Sequence, residues 1–382
     1  MSDLPDLSVL FVGDVHIKPD NTQSVDILTG ELERLCREQR PGIVLLSGDI
    51  LHTHERVHTT ALNKAYDMIR ALLRATTYEE GDDSTCKGLV VILVGNHDAT
   101  SNQIFLTDNH WMNGLKEWPR VKIIDRVEWI SAGCIAVPYV PPGRFKEALD
   151  TLPVDQPHWS TCSCIFAHQE FKGCRLGAIE SIGGDEWNTK WPLVISGHIH
   201  DTQRPQANIY YPGASLQQAY GERCATHCVL IESNKDSTKR LPITTDLPIK
   251  VPKKKTLHVD SVDKLSQIDL SQVDPTSFNQ TRVCLSGQTV AEFKTLKKSK
   301  EYKNLVEKGV KVVFKPKLES TIETASKLGK SRLDGENSTE ADVDSTSELP
   351  TFQQILMRLI EAKKSTTLEK MYLEVVENKI VL

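Results

Sequence analysis

The sequence lacks the features of a membrane or secreted protein. None of its apolar runs approaches the roughly 20 residues that a transmembrane helix needs. No basic stretch followed by an apolar one opens the chain, and residues 1–5 lead almost directly into a strand-like run. We therefore expect an intracellular protein, cytoplasmic or nuclear, with no membrane association.

Cysteine is scattered thinly, with nine among 382 residues. The nearest pair, Cys162 and Cys164, is separated by one residue, which is too close for a CxxC metal or redox site. Disulfide frameworks belong to oxidising compartments, whereas scattered cysteines in a long chain are typical of reduced thiols. We expect these thiols to be reduced.

A large excess of positive charge is also missing, because the formal net charge is −5. The distribution is uneven, however. Residues 250–317 contain 15 Lys+Arg against 7 Asp+Glu, a local balance of +8 that leaves −13 for the rest of the chain. A basic segment on an acidic body is compatible with a local contact to a phosphate backbone. A solvated, lysine-rich helix face would produce the same charge pattern, so both interpretations stay open.

The length exceeds what one hydrophobic core usually holds, so we expect a large domain and a smaller one. In the first part apolar strands alternate with helices, which indicates a sheet buried on both faces. The predicted strands are 8–12, 43–46 and 89–94, and the predicted helices are 22–37 and 59–73.

Closely spaced strands follow, with little helix between them. They are predicted at 121–124, 128–130, 135–138, 164–167, 193–196, 209–211 and 227–232. This spacing indicates a second, partly antiparallel sheet. Together the patterns predict an α/β fold, a four-layer α/β/β/α sandwich that occupies residues 1–241.

Beyond the sandwich the composition changes. Residues 242–252 contain three prolines and predict a linker. It opens a small basic α+β cap over 242–317, with strands 256–259, 281–285 and 310–314 and a helix over 289–307.

The C-terminal region is predicted to contain a disordered linker and two helices. Residues 318–350 form the linker, whose segment 336–348 is acidic and nearly free of large apolar side chains. In 351–382, one helix carries the apolar stripe Phe352, Ile355, Leu356, Leu359 and Ile360. The pattern Thr366-Thr-Leu-Glu369 opens the second helix as a capping box.

Five short clusters of oxygen and imidazole donors each follow an apolar strand directly. They are Asp14-Val-His16, Gly48-Asp49-Ile-Leu-His52, Gly95-Asn96-His97-Asp98, Phe166-Ala-His168 and Gly197-His198-Ile-His200. Loops at the carboxyl edge of a sheet converge on one crevice. A spacing of two places both members of Asp14-x-His16, or of His198-x-His200, on one side of an extended backbone. The clusters therefore predict a shared site.

The chemistry of these donors points to a pair of metal ions. Carboxylate, imidazole and amide ligands suit manganese, iron, zinc or magnesium better than an ion that prefers thiolate. Two such ions about 3.5–4 Å apart clamp the attacking and leaving oxygens of a phosphoester displacement. We expect two divalent ions, manganese first and magnesium, iron or zinc as alternatives, bridged by Asp49. One cluster alone recurs by chance, but five at strand ends indicate a binuclear site.

The order of the clusters resembles the signature of calcineurin-like metallophosphoesterases. Two details resemble the branch of SbcD-type DNA double-strand-break repair nucleases and their phage recombination counterparts. One is His52, three residues after Asp49; the other is Tyr211-Pro-Gly-Ala-Ser215 followed by Tyr220-Gly-Glu222. Ala214 and Tyr220 depart from that branch's Tyr-Pro-Gly-Ser…Phe-Gly-Glu stretch.

The resemblance implies a role for each residue of the clusters. One ion would be held by Asp14, His16 and His200, the other by Asn96, His168 and His198, with Asp49 between them. His97 would protonate the leaving oxygen or steady the phosphate, Asp98 would orient the His97 imidazole, and His52 would approach the phosphate. From the residues alone, His97 is adjacent to a ligand and is also compatible with a ligand role.

The resemblance further implies a metal-dependent exonuclease and endonuclease that hydrolyses phosphodiester bonds in DNA repair or recombination. The cap would touch DNA, the C-terminal helices would bind an SMC-like ATPase subunit, and the chain would form a homodimer within that complex. Core packing is the competing interpretation of the apolar stripe. A calcineurin-like phosphatase or small-molecule phosphodiesterase would share the same metal core. A scaffold that had lost its metals would not need seven intact ligands.

Overall fold

The structure is a computed structural model that describes residues 8–80, 84–131, 133–222, 226–233, 242–259, 280–288, 290–307 and 310–316. The predicted linker 318–350 and the predicted C-terminal helices 351–382 lie outside the described residues. No helix among the described residues combines the length and the apolar character that crossing a membrane requires.

The described residues form strands and helices in the following order. These are β1 (Ser8–Val12), α1 (Thr22–Gln39), β2 (Ile43–Leu46), α2 (Thr59–Ala75), β3 (Thr77–Glu80), β4 (Ser84–Lys87), β5 (Leu89–Leu93), β6 (Val121–Ile124), β7 (Glu128–Ser131), β8 (Cys134–Val137), α3 (Phe145–Leu149), β9 (Cys164–His168), β10 (Arg175–Leu176), β11 (Ile179–Glu180), β12 (Leu193–Gly197), β13 (Gln203–Gln206), β14 (Ile209–Tyr211), β15 (His227–Glu232), β16 (Ile243–Pro248), β17 (Lys254–Val259), β18 (Gln280–Gln288), α4 (Val290–Leu296), α5 (Lys300–Glu307) and β19 (Lys311–Pro316).

Two six-stranded mixed sheets form the main body. The first has the order β16-β15-β1-β2-β5-β6. Its strands β1, β2, β5 and β6 run parallel, and β15 is antiparallel to both of its neighbours, β1 and β16. The second has the order β13-β14-β12-β9-β8-β7, with four parallel central strands between antiparallel edges. The predicted second, partly antiparallel sheet is confirmed, but two of the strands predicted for it, 121–124 and 227–232, are β6 and β15 of the first sheet.

The side chains of β1 show how the layers pack. Leu10 and Val12 join an apolar cluster with α1 and α2, whereas Val9 and Phe11 join a cluster between the two sheets. Alternate side chains of a strand point to opposite faces, so the sheet is buried on both sides. The α/β sandwich is confirmed.

The outermost layer is thinner than predicted. Among the described residues, the outer face of the second sheet is covered by the short helix α3, a 3-10 turn that begins with Trp159, and loops such as the one bearing Trp187, which pack on residues such as Ile165 and Val194. Large aromatic side chains each bury much apolar area, so a loop layer can close this face without long helices.

The predicted linker at 242–252 is wrong for most of its length. Residues 243–248 form β16, which pairs with β15 from Glu232–Ile243 to His227–Pro248. This strand lies at the edge of the first sheet, where proline is tolerated because one side of the strand needs no ladder hydrogen bonds. The sandwich therefore extends to Pro248.

The cap is a separate parallel sheet, in the order β17-β18-β19, covered by α4 and α5. Its core includes Val283, Leu285, Leu296 and Leu305. The single helix predicted over 289–307 is two helices, because Ser299 begins the second one: its Oγ accepts a hydrogen bond from Tyr302 N at 3.1 Å.

Candidate metal centre

All seven predicted metal ligands meet at the carboxyl edges of both sheets. The first sheet contributes Asp14 and His16 after β1, Asp49 after β2 and Asn96 after β5; the second contributes His168 at the end of β9, and His198 and His200 after β12. Three of these ligands have a left-handed backbone, with φ of 48° at His16, 51° at Asp49 and 78° at His198. Non-glycine residues adopt this conformation at a cost, and such outliers cluster at functional sites.

The ligands form two groups, one on each side of Asp49. In the first, Nε2 of His16 and of His200 lie 3.1 Å apart, and His200 Nε2 lies 3.8 Å from Asp14 Oδ2. Asp49 Oδ2 lies 3.5 Å from His16 Nε2. The two oxygens of Asp49 face different groups, because Oδ1 lies 3.4 Å from Nε2 of His168.

The second group surrounds the amide oxygen of Asn96. Asn96 Oδ1 lies 3.0 Å from His168 Nε2 and 2.9 Å from His198 Nδ1. With His168, His198 and one oxygen of Asp49, it makes a compact set of nitrogen and oxygen donors. The resemblance implied the same two groups, and the carboxylate of Asp49 lies between them.

Partners outside the ligand set hold the imidazoles in place. His168 Nδ1 lies 2.7 Å from the carbonyl oxygen of Ser47, and His200 Nδ1 lies 3.1 Å from Glu222 Oε1. When Nδ1–H donates to these oxygens, Nε2 is left to face the centre. Ser47 Oγ also donates to Asp14 Oδ1 at 2.8 Å.

Two glycines allow the carboxylates to lie so close to the strands. A Cβ at Gly95 would lie 2.2 Å from Asp49 Oδ1, and a Cβ at Gly197 would lie 2.6 Å from Asp14 Oδ1. Any larger residue would displace the carboxylates, which explains the glycine at each of these positions.

The electrostatics of the pocket favour bound cations. Burial alone would lower the pKa of His168, yet the carboxylates of Asp49 and Asp14 raise it to about 9. Burial alone would raise the pKa of Asp49, but His168 and other imidazoles hold it well below its usual range. Converging carboxylate, amide and imidazole donors that stabilise positive charge fit two divalent ions.

His97 lies at the mouth of the site. Its backbone N–H donates to Asp49 Oδ1 at 2.8 Å, and its Nδ1 lies 2.6 Å from the carbonyl oxygen of His52. Nε2 lies 4.0 Å from Asp49 Oδ2, and the side chain is 27 % exposed. The nitrogens of His97, His16 and His52 also lie within 4.8 Å of one another. The geometry therefore accommodates either a proton donor or a ligand.

His52 lies beside the first group of ligands, with Nδ1 3.3 Å from His16 Nδ1. Burial, together with the nearby charge of Lys18, lowers the pKa of His52 to about 4. At neutral pH its half-buried ring offers a substrate a neutral hydrogen-bonding group rather than a positive charge.

The orienting role predicted for Asp98 is wrong. Its carboxylate accepts the backbone N–H groups of Ile50 at 3.1 Å and Gly95 at 3.1 Å, and Nε1 of Trp111 at 2.9 Å. The turn after β5 directs Asp98 inward and His97 outward, and the carbonyl of His52 orients the His97 ring instead. Burial, and then the charge of Asp49, raises the pKa of Asp98 to about 7. Asp98 thus braces the two loops that carry Asp49 and Asn96.

The structure adds residues that the sequence patterns did not single out. The ring of His54 stacks on that of His97, with centroids 4.5 Å apart and planes at 18°, and His54 Nδ1 has no hydrogen-bond partner among the described residues. Glu170 Oε2 lies 3.8 Å from His198 Nε2. Glu222, which contacts His200, belongs to the Tyr-Gly-Glu stretch already noted. His54 follows His52 with the two-residue spacing that is typical of an extended segment. The sequence therefore contains a weak signal for each of these two residues.

Comparisons with known proteins agree with this geometry. Residues 7–202 match the model of the family described as calcineurin-like phosphoesterase. "Putative phosphoesterase 244L" of Invertebrate iridescent virus 6 is 43% identical over 299 residues, 76% of this chain and 98% of that protein. "Putative phosphoesterase 078R" of Invertebrate iridescent virus 3 is 37% identical over 332 residues, 85% of this chain and 89% of that protein.

A solved structure, "GAP50 the anchor in the inner membrane complex of Plasmodium", covers 64% of this chain and 89% of that chain, with 13% identity and a TM-score of 0.35. The family match, residues 7–202, includes all seven predicted metal ligands. The chain therefore belongs to the calcineurin-like phosphoesterase family and is a metal-dependent phosphoesterase.

Proposed function

We propose that this phosphoesterase is a nuclease that hydrolyses phosphodiester bonds of DNA. The observation that carries the proposal is the attachment of the cap beside the metal centre. Residues 217–222 form a loop, here the rim loop, from which Glu222 contacts His200. The cap holds the same loop: Lys254 N donates to Gln217 Oε1 at 2.7 Å, and the Arg282 guanidinium lies 4.4 Å from the centre of the Tyr220 ring.

The charge of the cap supports a polyanionic substrate. Its exposed lysines are Lys253, Lys255, Lys294, Lys297, Lys298, Lys300, Lys303, Lys311 and Lys315. Lysines that neutralise backbone phosphates supply most of the sequence-independent affinity for DNA. A phosphatase or small-molecule phosphodiesterase, the alternative, has no use for an extended basic surface beside its site.

The chain's own groups account for the proton that hydrolysis requires. In phosphodiester hydrolysis, a water molecule loses a proton as its oxygen bonds to phosphorus, the phosphorus–oxygen bond to one sugar breaks, and the departing oxygen gains a proton. Asp14, His16, Asp49, Asn96, His168, His198 and His200 would hold two divalent ions, which would supply charge neutralisation and a lowered pKa for bound water. Nδ1–H of His97 donates to the carbonyl oxygen of His52, so Nε2 faces the mouth, and in the imidazolium form of His97 it carries the proton that the departing oxygen needs.

Purified protein incubated with linear DNA, with and without manganese, tests the proposal. Bis-p-nitrophenyl phosphate serves as the comparison substrate. We expect manganese-dependent cleavage of both. Hydrolysis of the small diester while DNA stays intact would instead support the small-molecule alternative.

Neutralising the exposed basic segment of the cap should weaken DNA binding. The triple variant Lys297→Ala, Lys298→Ala, Lys300→Ala removes exposed charges around the junction of α4 and α5. Each lost phosphate contact should lower the slope of log affinity against log salt by roughly 0.9. Fluorescence anisotropy over a salt series measures this slope.

The matched control is the triple alanine variant of Lys146, Lys172 and Lys190, which are exposed on the sandwich domain. We expect it to keep the wild-type slope, and both triple variants to keep hydrolysis of the small diester. An unchanged slope in the cap variant would make this helix pair an ordinary solvated surface.

We also propose, from the sequence pattern alone, that residues 351–382 dock onto an SMC-like ATPase. In recognition of a helix by a groove, apolar residues at i, i+3, i+4 and i+7 act as anchors. Deleting 350–382 should therefore leave hydrolysis of the small diester near wild type and abolish association with the ATPase. Insolubility of the truncated chain, or loss of its metal-dependent hydrolysis, would assign the stripe to the core.

A further inference from the structure

A cleft of about 480 Å³ opens beside the metal centre, between the β10–β11 hairpin and the rim loop. The metal ligands His198 and His200 form part of its wall, together with Arg175, Leu176 and Tyr220. The volume lies within the roughly 300–1,000 Å³ of pockets that hold small organic ligands. A group attached to a phosphate at the metal centre can therefore extend directly into this cleft.

On the hairpin side of the cleft, the backbone is held by hydrogen bonds, and the Arg175 side chain extends from it without an ion-pair partner among the described residues. Gln203 holds the backbone of Arg175, accepting its N–H at 2.8 Å and donating to its carbonyl oxygen at 3.0 Å. The Arg175 side chain is exposed and forms no ion pair with the residues that the structure describes. Leu176 next to it is 44% exposed. The guanidinium of Arg175 and the apolar side chain of Leu176 thus line the cleft from a backbone that hydrogen bonds hold in place.

The opposite side of the cleft offers an aromatic ring and carboxylates. Tyr220 is half-buried, and Arg282 of the cap lies over its ring. Asp201 and Glu222 also line the cleft. Two carboxylates disfavour a second phosphate here, but they can accept hydrogen bonds from the amino group of a nucleobase, as acidic side chains do with cytosine. Aromatic rings and guanidinium planes stack on bases of any sequence.

We propose that this cleft binds the nucleobase adjoining the scissile phosphate, with Tyr220 and Arg175 as its stacking surfaces. The inference rests on the proposed nuclease function and deepens it. It makes the β10–β11 hairpin and the rim loop the two walls that select an oligonucleotide over a simple phosphodiester.

Steady-state kinetics of the full chain with manganese test the subsite. The substrates are a single-stranded DNA oligonucleotide and bis-p-nitrophenyl phosphate, which carries no nucleobase. Arg175→Ala and Tyr220→Leu should each raise the KM for the oligonucleotide roughly tenfold relative to the KM for the small diester, since one base stack contributes about that factor. Tyr220→Phe keeps an aromatic ring and should retain the wild-type ratio.

Arg37→Ala is the matched control. Arg37 is an exposed arginine in the last turn of α1, which precedes β2 and so lies towards the sheet edge opposite the metal ligands. It should keep the wild-type ratio. Metal content is measured for every variant, because Tyr220 shares the rim loop with Glu222.

The outcomes separate the two proposals. If wild-type protein hydrolyses the small diester and leaves the oligonucleotide intact, the nuclease function itself is wrong. If the wild type cuts the oligonucleotide and Arg175→Ala and Tyr220→Leu keep the wild-type KM ratio with full metal content, the base subsite is wrong and the nuclease function stands.

Discussion

Replacing Asp49 with alanine should prevent both metal ions from binding and abolish hydrolysis of every phosphodiester. The two oxygens of Asp49 face separate ligand groups, at 3.5 Å from His16 and 3.4 Å from His168, so one substitution removes a donor from each. The loss in metal affinity should exceed the roughly 10–100-fold that removal of an outer-shell partner costs. Metal content by mass spectrometry and diester hydrolysis measure the effect.

Asp67→Ala provides the control, because Asp67 is an exposed carboxylate on α2. It should keep both the metals and the activity. Asp49→Asn preserves the side-chain shape and provides a second test if the alanine variant fails to fold. It should also lose metal. Two ions retained in folded Asp49→Asn protein would contradict the bridging role.

Replacing His97 with alanine should lower turnover roughly 10²–10⁴-fold, the usual contribution of a general acid or base, while both ions stay bound. The imidazole reaches the mouth of the site, where its Nε2 lies 4.0 Å from Asp49 Oδ2. The hydrogen bond to Asp49 comes from the backbone N–H of residue 97, which alanine retains. Single-turnover hydrolysis and metal content, measured on the same samples, report the two properties separately.

His158→Ala is the control for this variant, since His158 is an exposed histidine at a short 3-10 turn. It should keep full turnover. A parallel loss of metal and activity in His97→Ala protein would make His97 a ligand, the alternative that the residue pattern alone left open.

The metal ligands could be predicted from the sequence because strand ends carry a local signal. An apolar strand followed by Asp, Asn or His recurs five times, and the carboxyl ends of parallel strands must meet at one edge. The direction of a side chain within a turn has no such signal. The resemblance implied that Asp98 orients the His97 imidazole, whereas the turn after β5 directs the Asp98 carboxylate to the backbone N–H groups of Ile50 and Gly95.

The boundary of the sandwich shows a second limit. Three prolines in residues 242–252 suggested a linker, yet β16 pairs with β15 over six residues. Proline excludes a residue from a central strand but not from an edge, and edge position is a property of the whole sheet. Short strands such as β13, and the β10–β11 hairpin, were missed because two to four residues contain too little periodicity to detect.

The ligands of the metal centre come from distant parts of the chain, because each sheet supplies some of them. His16 and His200 are 184 positions apart, and Asn96 and His168 are 72 positions apart. In polymer terms, each bound ion is a cross-link that closes a long loop, and the entropy that such closure removes from an unfolded chain grows with loop length. Ions bound by these residues would therefore cross-link the two sheets, so that metal binding would stabilise the fold as well as supply its chemistry.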